Sequence, residues 1–180
     1  RAKKVSAKER WITTRALRER VRQGGRLFIV NDRVDLALNC RADAVHLGQD
    51  DLPIETARQL AHRVHQALII GRSTHSLAQA LQAQAEGADY IGYGPLYATQ
   101  TKENNVAPVG VDSLGVIIQA LKIPVVAIGG IKPEHLVAVA AQGAQHCAVV
   151  TYLTGAADIA AATRQLNTAW QQARRAAVQA

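Results

Sequence analysis

An α/β fold built on a parallel sheet is what this 180-residue sequence predicts. Three observations carry that expectation. Short runs rich in Val and Ile recur at residues 27–30, 44–47, 67–70, 90–94, 124–128 and 148–150, each of a length suited to a buried strand. Helix-like stretches separate them, and three of these lead into Ala42-Asp43-Ala44, Gly87-Ala88-Asp89 and Gly143-Ala144-Gln145, where a small residue lets the chain turn back into a strand. Polar residues gather just beyond the strands. Such alternation implies parallel strands covered by helices, either an open doubly wound sheet or a closed eightfold barrel. In both, functional groups collect past the carboxyl ends of the strands.

The elements follow in order. Residues 1–26 hold ten Lys or Arg against two Glu, so the net charge of +7 belongs to this end of the chain. A solvated helix over residues 14–22, with Leu17 and Val21 inward, accounts for that charge. A non-catalytic module binding RNA or another polyanion is the alternative from a different class, although Trp11 is the sole aromatic there that could stack on a base. Strand 27–30 runs into Asn31-Asp32 and helix 34–39. Strand 44–47 carries His46 and runs into Gln49-Asp50-Asp51, ahead of helix 54–64. Strand 67–70 is followed by Ser73 and helix 77–86. Strand 90–94 opens the polar loop "GPLYATQTKENN", Gly94 to Asn105, and helix 111–121. Strand 124–128 ends in Gly129-Gly130 before helix 133–142. Strand 148–150 meets Thr151, and helix 159–174 comes last.

With 48% apolar residues the chain can bury one core, so a single domain over residues 1–180 is expected. No run approaches the roughly 18 apolar residues of a membrane span, and no apolar segment follows Arg1-Ala2-Lys3-Lys4. A cytoplasmic location is expected. Cys40 and Cys147 stand apart without CxxC spacing, which gives no support to a disulfide or zinc site; both are expected to be small buried hydrophobes. His46 faces the mouth or interior of the sheet, or is a satisfied core histidine. His75 suits local capping, and His62, His65, His135 and His146 read as surface positions.

Asp32 and Asp51 are hard oxygen donors, and one or two carboxylates with substrate phosphate oxygens is the usual way to hold Mg²⁺. Against this stands a capping role, strongest for Asp50 or Asp51 ahead of Leu52-Pro53. Thr99, Thr101 and Lys102 offer two hydroxyls and a cation to phosphate oxygens. Gly129-Gly130 lets backbone amides approach a phosphate, and Val149 to Leu153 repeats the arrangement one strand later.

Arg1-Ala2-Lys3, "FIVNDRVDLAL", "ADAVHLGQDDLP", "GRSTHS", "GADYIGYGPLYATQTK", "PVVAIGGI" and the turn at Thr151 occur in order over Arg1 to about Leu153. Together they resemble the thiamine phosphate synthase (thiamine phosphate pyrophosphorylase) family. The resemblance implies a TIM (β/α)8 barrel, here without its first two strands, because the sequence begins without Met inside a motif the family usually precedes with Gln. It implies an enzyme that joins hydroxymethylpyrimidine diphosphate to thiazole phosphate with Mg²⁺, releasing pyrophosphate first and needing no acid or base catalyst. Asp32 and Asp51 would hold the Mg²⁺, and Arg1, Lys3, Asn31, Ser73 and Lys102 the diphosphate. His46 would line the pyrimidine pocket, while Thr99, Thr101, Gly130, Val150 and Thr151 would contact the thiazole phosphate. Small-molecule substrates are the implied partners, with a homo-oligomer open to it. Ala2 stands where an acidic residue is common. A thiazole tautomerase on the same fold is the nearer alternative, disfavoured by Pro95 where such relatives carry a histidine.

Overall fold

The computed structural model describes residues 5–99 and 106–179, within two compact units. The first unit comprises Arg1–Arg72 and Glu86–Asp89, the second Ser73–Ala85 and Tyr90–Ala180.

In the first unit, α1 (Ala7–Gln23) precedes β1 (Ile29–Asn31), α2 (Val34–Asn39), β2 (Ala44–Leu47), α3 (Ile54–Arg63) and most of β3 (Ile69–Thr74). β1 pairs in parallel with β2, setting Asn31 opposite His46, and β2 pairs in parallel with β3. The core is formed by Val30, Val45, Leu47 and Ile70 of the strands, covered by Val34 and Ala37 of α2 and by Ile54, Ala57 and Ala61 of α3. The i, i+3, i+7 spacing of the α3 residues places them on one helix face.

The second unit takes the end of β3, α4 (Leu77–Ala85), β4 (Tyr90–Tyr93), α5 (Asp112–Ala120) and β5 (Val125–Ile128). A 3₁₀ turn (Pro133–His135), α6 (Leu136–Ala141), β6 (His146–Ala148), α7 (Thr151–Thr154) and α8 (Ile159–Gln179) follow. β4 pairs in parallel with β5, and β5 with β6. Ile91 and Ala127 of the strands pack with Leu114 and Ile117 of α5 and with Leu136 and Val139 of α6. Every described pairing is parallel and joins strands consecutive in the chain. Among the described residues, no helix is long and apolar enough to cross a membrane.

Several expectations are corrected. The first helix starts at Ala7 rather than at residue 14, because Ser6 and Glu9 form a capping box: the Ser6 amide donates to Glu9 Oε2 (3.0 Å) and the Glu9 amide to Ser6 Oγ (3.2 Å). Leu17 is not inward but 49% exposed, since α1 is held by polar tips, Trp11 Nε1 on Asn39 and Arg18 Nε on the Arg41 carbonyl. The last strand is His146–Ala148, and Val150 is the N-cap of α7 instead of the end of a strand. Cys40 is buried, but Cys147 only half-buried.

Asp43 and Asp89, which read as residues of tight turns, also act at a distance. Asp43 Oδ2 accepts the Phe28 amide (2.7 Å) just before β1, and Asp89 Oδ2 accepts the Ile70 amide (2.7 Å) in β3. Each carboxylate stands ahead of one strand and fastens the start of the preceding one. Arg58 of α3 completes the second anchor, donating to Asp89 Oδ2, the Leu68 carbonyl and the Gly87 carbonyl, all at 2.8 Å. Hydrogen bonds to charged groups contribute roughly 1.5–3 kcal/mol, and the pair is partly solvated. Asp89→Ala is therefore expected to cost about 2 kcal/mol, read as a lowered urea midpoint; an unchanged midpoint would remove the anchor from the account.

Candidate active site

The first unit presents its polar residues past β1 and β2. Asn31 ends β1, and its Nδ2 donates to Asp32 Oδ1 (2.6 Å). Asp32 carries on with φ of 64°, a left-handed conformation that Asp tolerates better than most residues but that is still uncommon. Its amide donates to the His46 carbonyl (2.8 Å), so the turn is locked to β2. His46, opposite Asn31 in the ladder, is half-buried. Asp51 does not cap α3, whose N-cap is Pro53 with no side-chain bond; its Oδ2 accepts the Gly48 amide (2.6 Å) and closes the turn after β2. Asn31, Asp32, His46 and Asp51 thus lie at the carboxyl ends of two paired strands. The Arg33 guanidinium grips Asp35 through Nε and Nη2 and holds that carboxyl below its ordinary range.

The second unit presents Ser73 and Thr74, both buried, at the end of β3, with Thr74 Oγ1 donating to the Gly92 carbonyl (3.2 Å). Thr99 lies in the loop after β4, Gly129 and Gly130 after β5, and Val150 and Thr151 at the start of α7. Arg1, Lys3, Thr101 and Lys102 lie outside the described residues.

The glycines have a purpose that the sequence did not disclose. Leu96 and Tyr97 donate their amides to the carbonyls of Ile128 (2.9 Å) and Gly129 (3.0 Å), drawing the loop after β4 onto the turn after β5. The two backbones then touch. A Cβ on Gly94 would lie 2.0 Å from the Ile128 carbonyl oxygen, one on Gly129 2.4 Å from Pro95 Cα, and one on Gly130 2.6 Å from the Ala98 oxygen. Gly129 and Gly130 also hold φ of 96° and 66°. Close packing of two loops demands glycine here.

Two further residues were missed. The rings of Tyr97 and His135 stack with centroids 3.8 Å apart and planes inclined by 12°. His135, expected at the surface, is half-buried because Tyr97 covers it. The ring of His75 hydrogen-bonds the Gly94 carbonyl, and its amide donates to Gln79 Oε1 (2.8 Å), which extends the local capping role expected for it. Neither thiol suits nucleophilic chemistry, since burial pushes Cys40 up and Cys147 up to about 11.

Away from the strand ends, a recess of about 600 Å³ lies between α1 and the end of α2, lined by Trp11, Arg15, Asn39 and Arg41 among others. Arg15 lies over the Trp11 ring (4.8 Å) and Arg22 pairs with Glu19 (2.8 Å). One face of the aromatic on which the polyanion reading depends is therefore covered by a cation of its own helix. Among the described residues no group of three or more His, Cys, Asp or Glu could hold a metal.

Parallel strands joined through helices, with polar groups collected past their carboxyl ends, define an α/β enzyme scaffold of the TIM-barrel class. A solved thiamine phosphate pyrophosphorylase from Pyrococcus furiosus superposes with a TM-score of 0.86 at 38% identity, over 95% of this chain and 80% of that one. The family model for thiamine monophosphate synthase matches residues 1–153. The thiamine-phosphate synthase of Pelotomaculum thermopropionicum is 47% identical over 167 residues, 93% of this chain and 75% of that protein. That of Moorella thermoacetica is 43% identical over 174 residues, covering 97% and 81%. The chain belongs to the thiamine monophosphate synthase family.

Proposed function

We propose that this chain is a thiamine-phosphate synthase, a cytoplasmic transferase that joins hydroxymethylpyrimidine diphosphate to thiazole phosphate and releases pyrophosphate. Within the family, the single observation that carries this reading is the pair of carboxylates past β1 and β2, Asp32 in its left-handed turn and Asp51 on the Gly48 amide.

The donor set fits Mg²⁺. Both residues supply hard oxygens, and Asp51 Oδ1 makes no hydrogen bond among the described residues. Magnesium, when bound, offsets the charge that grows on the departing pyrophosphate. Asn31, Ser73, Lys102, Arg1 and Lys3 are assigned to the diphosphate oxygens, and His46 to the edge of the pyrimidine. Thr99, Thr101, Gly130, Val150 and Thr151 are assigned to the thiazole phosphate, the last three through amide or hydroxyl donors. The bond from the pyrimidine methylene to the diphosphate oxygen breaks, and both electrons leave with pyrophosphate. The thiazole nitrogen then gives its lone pair to the methylene carbon and keeps the positive charge. No proton moves in either step, so the residues need only orient, neutralise and exclude water. A tautomerase would instead need a proton-transferring group past β4, where Pro95 packs against Gly129.

The test is direct. The full chain, incubated with both substrates and Mg²⁺, is expected to release thiamine phosphate and pyrophosphate in equal amounts, measured by mass spectrometry. Absence of both products would overturn the assignment.

A further inference from the structure

The hydrogen bonds that draw the loop after β4 onto the turn after β5 include the one from the Tyr97 amide to the Gly129 carbonyl. The glycine contacts set the nearest approach of the two backbones. Steric contact stops the loops from closing further; it does nothing to stop them from spreading. The ring stack joins the same two loops and resists that spreading. Tyr97 precedes Thr99 by two residues, and Lys132, whose amide donates to His135 Nδ1 (3.2 Å), follows Gly130 by two. His135 returns its own amide to the Lys132 carbonyl (3.0 Å), so the imidazole is fixed to the turn that carries Gly130. The stack is nearly parallel and tighter than the roughly 4.5–7 Å usual for aromatic pairs.

We propose that His135 is a positioning residue for the thiazole phosphate. Stacked on Tyr97 and bonded to the Lys132 amide, it fixes the separation across which Thr99 and Gly130 hold that phosphate. This rests on the assignment of Thr99 and Gly130 under the proposed function. It gives a role in affinity to a side chain that touches neither substrate.

The experiment uses the full chain with its two substrates and Mg²⁺. His135→Ala is expected to raise KM for the thiazole phosphate about tenfold, while kcat and the KM for the pyrimidine diphosphate stay within about twofold. His135→Phe keeps a ring for Tyr97 and should recover most of the affinity. His135→Asn keeps an acceptor for the Lys132 amide but no ring, and should resemble the alanine variant. Calorimetric titration with thiazole phosphate alone should give the same order without turnover. An unchanged KM in an active His135→Ala enzyme overturns the positioning role and leaves the synthase assignment standing. Equal rises in both KM values, with a lowered unfolding midpoint, reduce His135 to a packing residue and also overturn it. If the unsubstituted chain neither binds the thiazole phosphate nor forms product, both proposals fall.

Discussion

Asp32→Asn and Asp51→Asn should each lower turnover by roughly 10²-fold or more while leaving the protein folded. The two changes are nearly silent for structure. Asparagine accepts the left-handed conformation of residue 32 as readily as aspartate does, and at position 51 its side-chain carbonyl oxygen can still receive the Gly48 amide. Only the negative charge is removed. A residue that merely closes a turn tolerates that loss, with stability within about 1 kcal/mol of the parent. A magnesium ligand does not, and because the defect is one of metal affinity, raising Mg²⁺ should restore part of the rate by mass action. Steady-state rates across a Mg²⁺ titration, together with urea midpoints, make the distinction. Normal turnover at low Mg²⁺ in both variants would withdraw the metal assignment.

Gly94→Ala and Gly129→Ala should act in the opposite way, through stability before chemistry. The added methyl of the first would sit 2.0 Å from the Ile128 oxygen, and that of the second 2.4 Å from Pro95 Cα, where backbone cannot move aside cheaply. Overpacking of this kind costs about 1–3 kcal/mol, and the φ of 96° at Gly129 adds about 1–2 for a residue with a Cβ. A loss of roughly 2–5 kcal/mol is expected for Gly129→Ala, a large share of the stability of a domain of this size. Urea denaturation followed by circular dichroism measures it. A cooperative transition at the parent midpoint would mean that the two loops are free to part.

The six strands were legible because buried parallel strands leave runs of Val and Ile, and Asp32 and Asp51 were legible because carboxylates directly after such runs stand out. Where a strand begins was less so. β6 opens on the exposed His146, because the ladder pairs it with Val126, and apolar content cannot report a backbone register. The start of α1 is readable in Ser6 and Glu9, whose spacing is that of a capping box. The anchoring by Asp43 and Asp89 was hidden, since an aspartate at a turn has the same local sequence whether or not it reaches an amide 15 or 19 residues away. Tyr97 and His135 were hidden for the same reason: they lie in different loops, and only the interlocked backbones bring their rings together.

That interlocking bears on how such enzymes can diverge. The contact between Gly94-Pro95 and Gly129-Gly130 is made by main-chain atoms and a proline ring, which leaves point mutation little there to vary. A loop grafted from a distant relative after β4 would have to arrive together with its partner turn after β5. New substrate preferences in this lineage should therefore accumulate in the side chains the shared frame holds out, with the frame itself inherited whole.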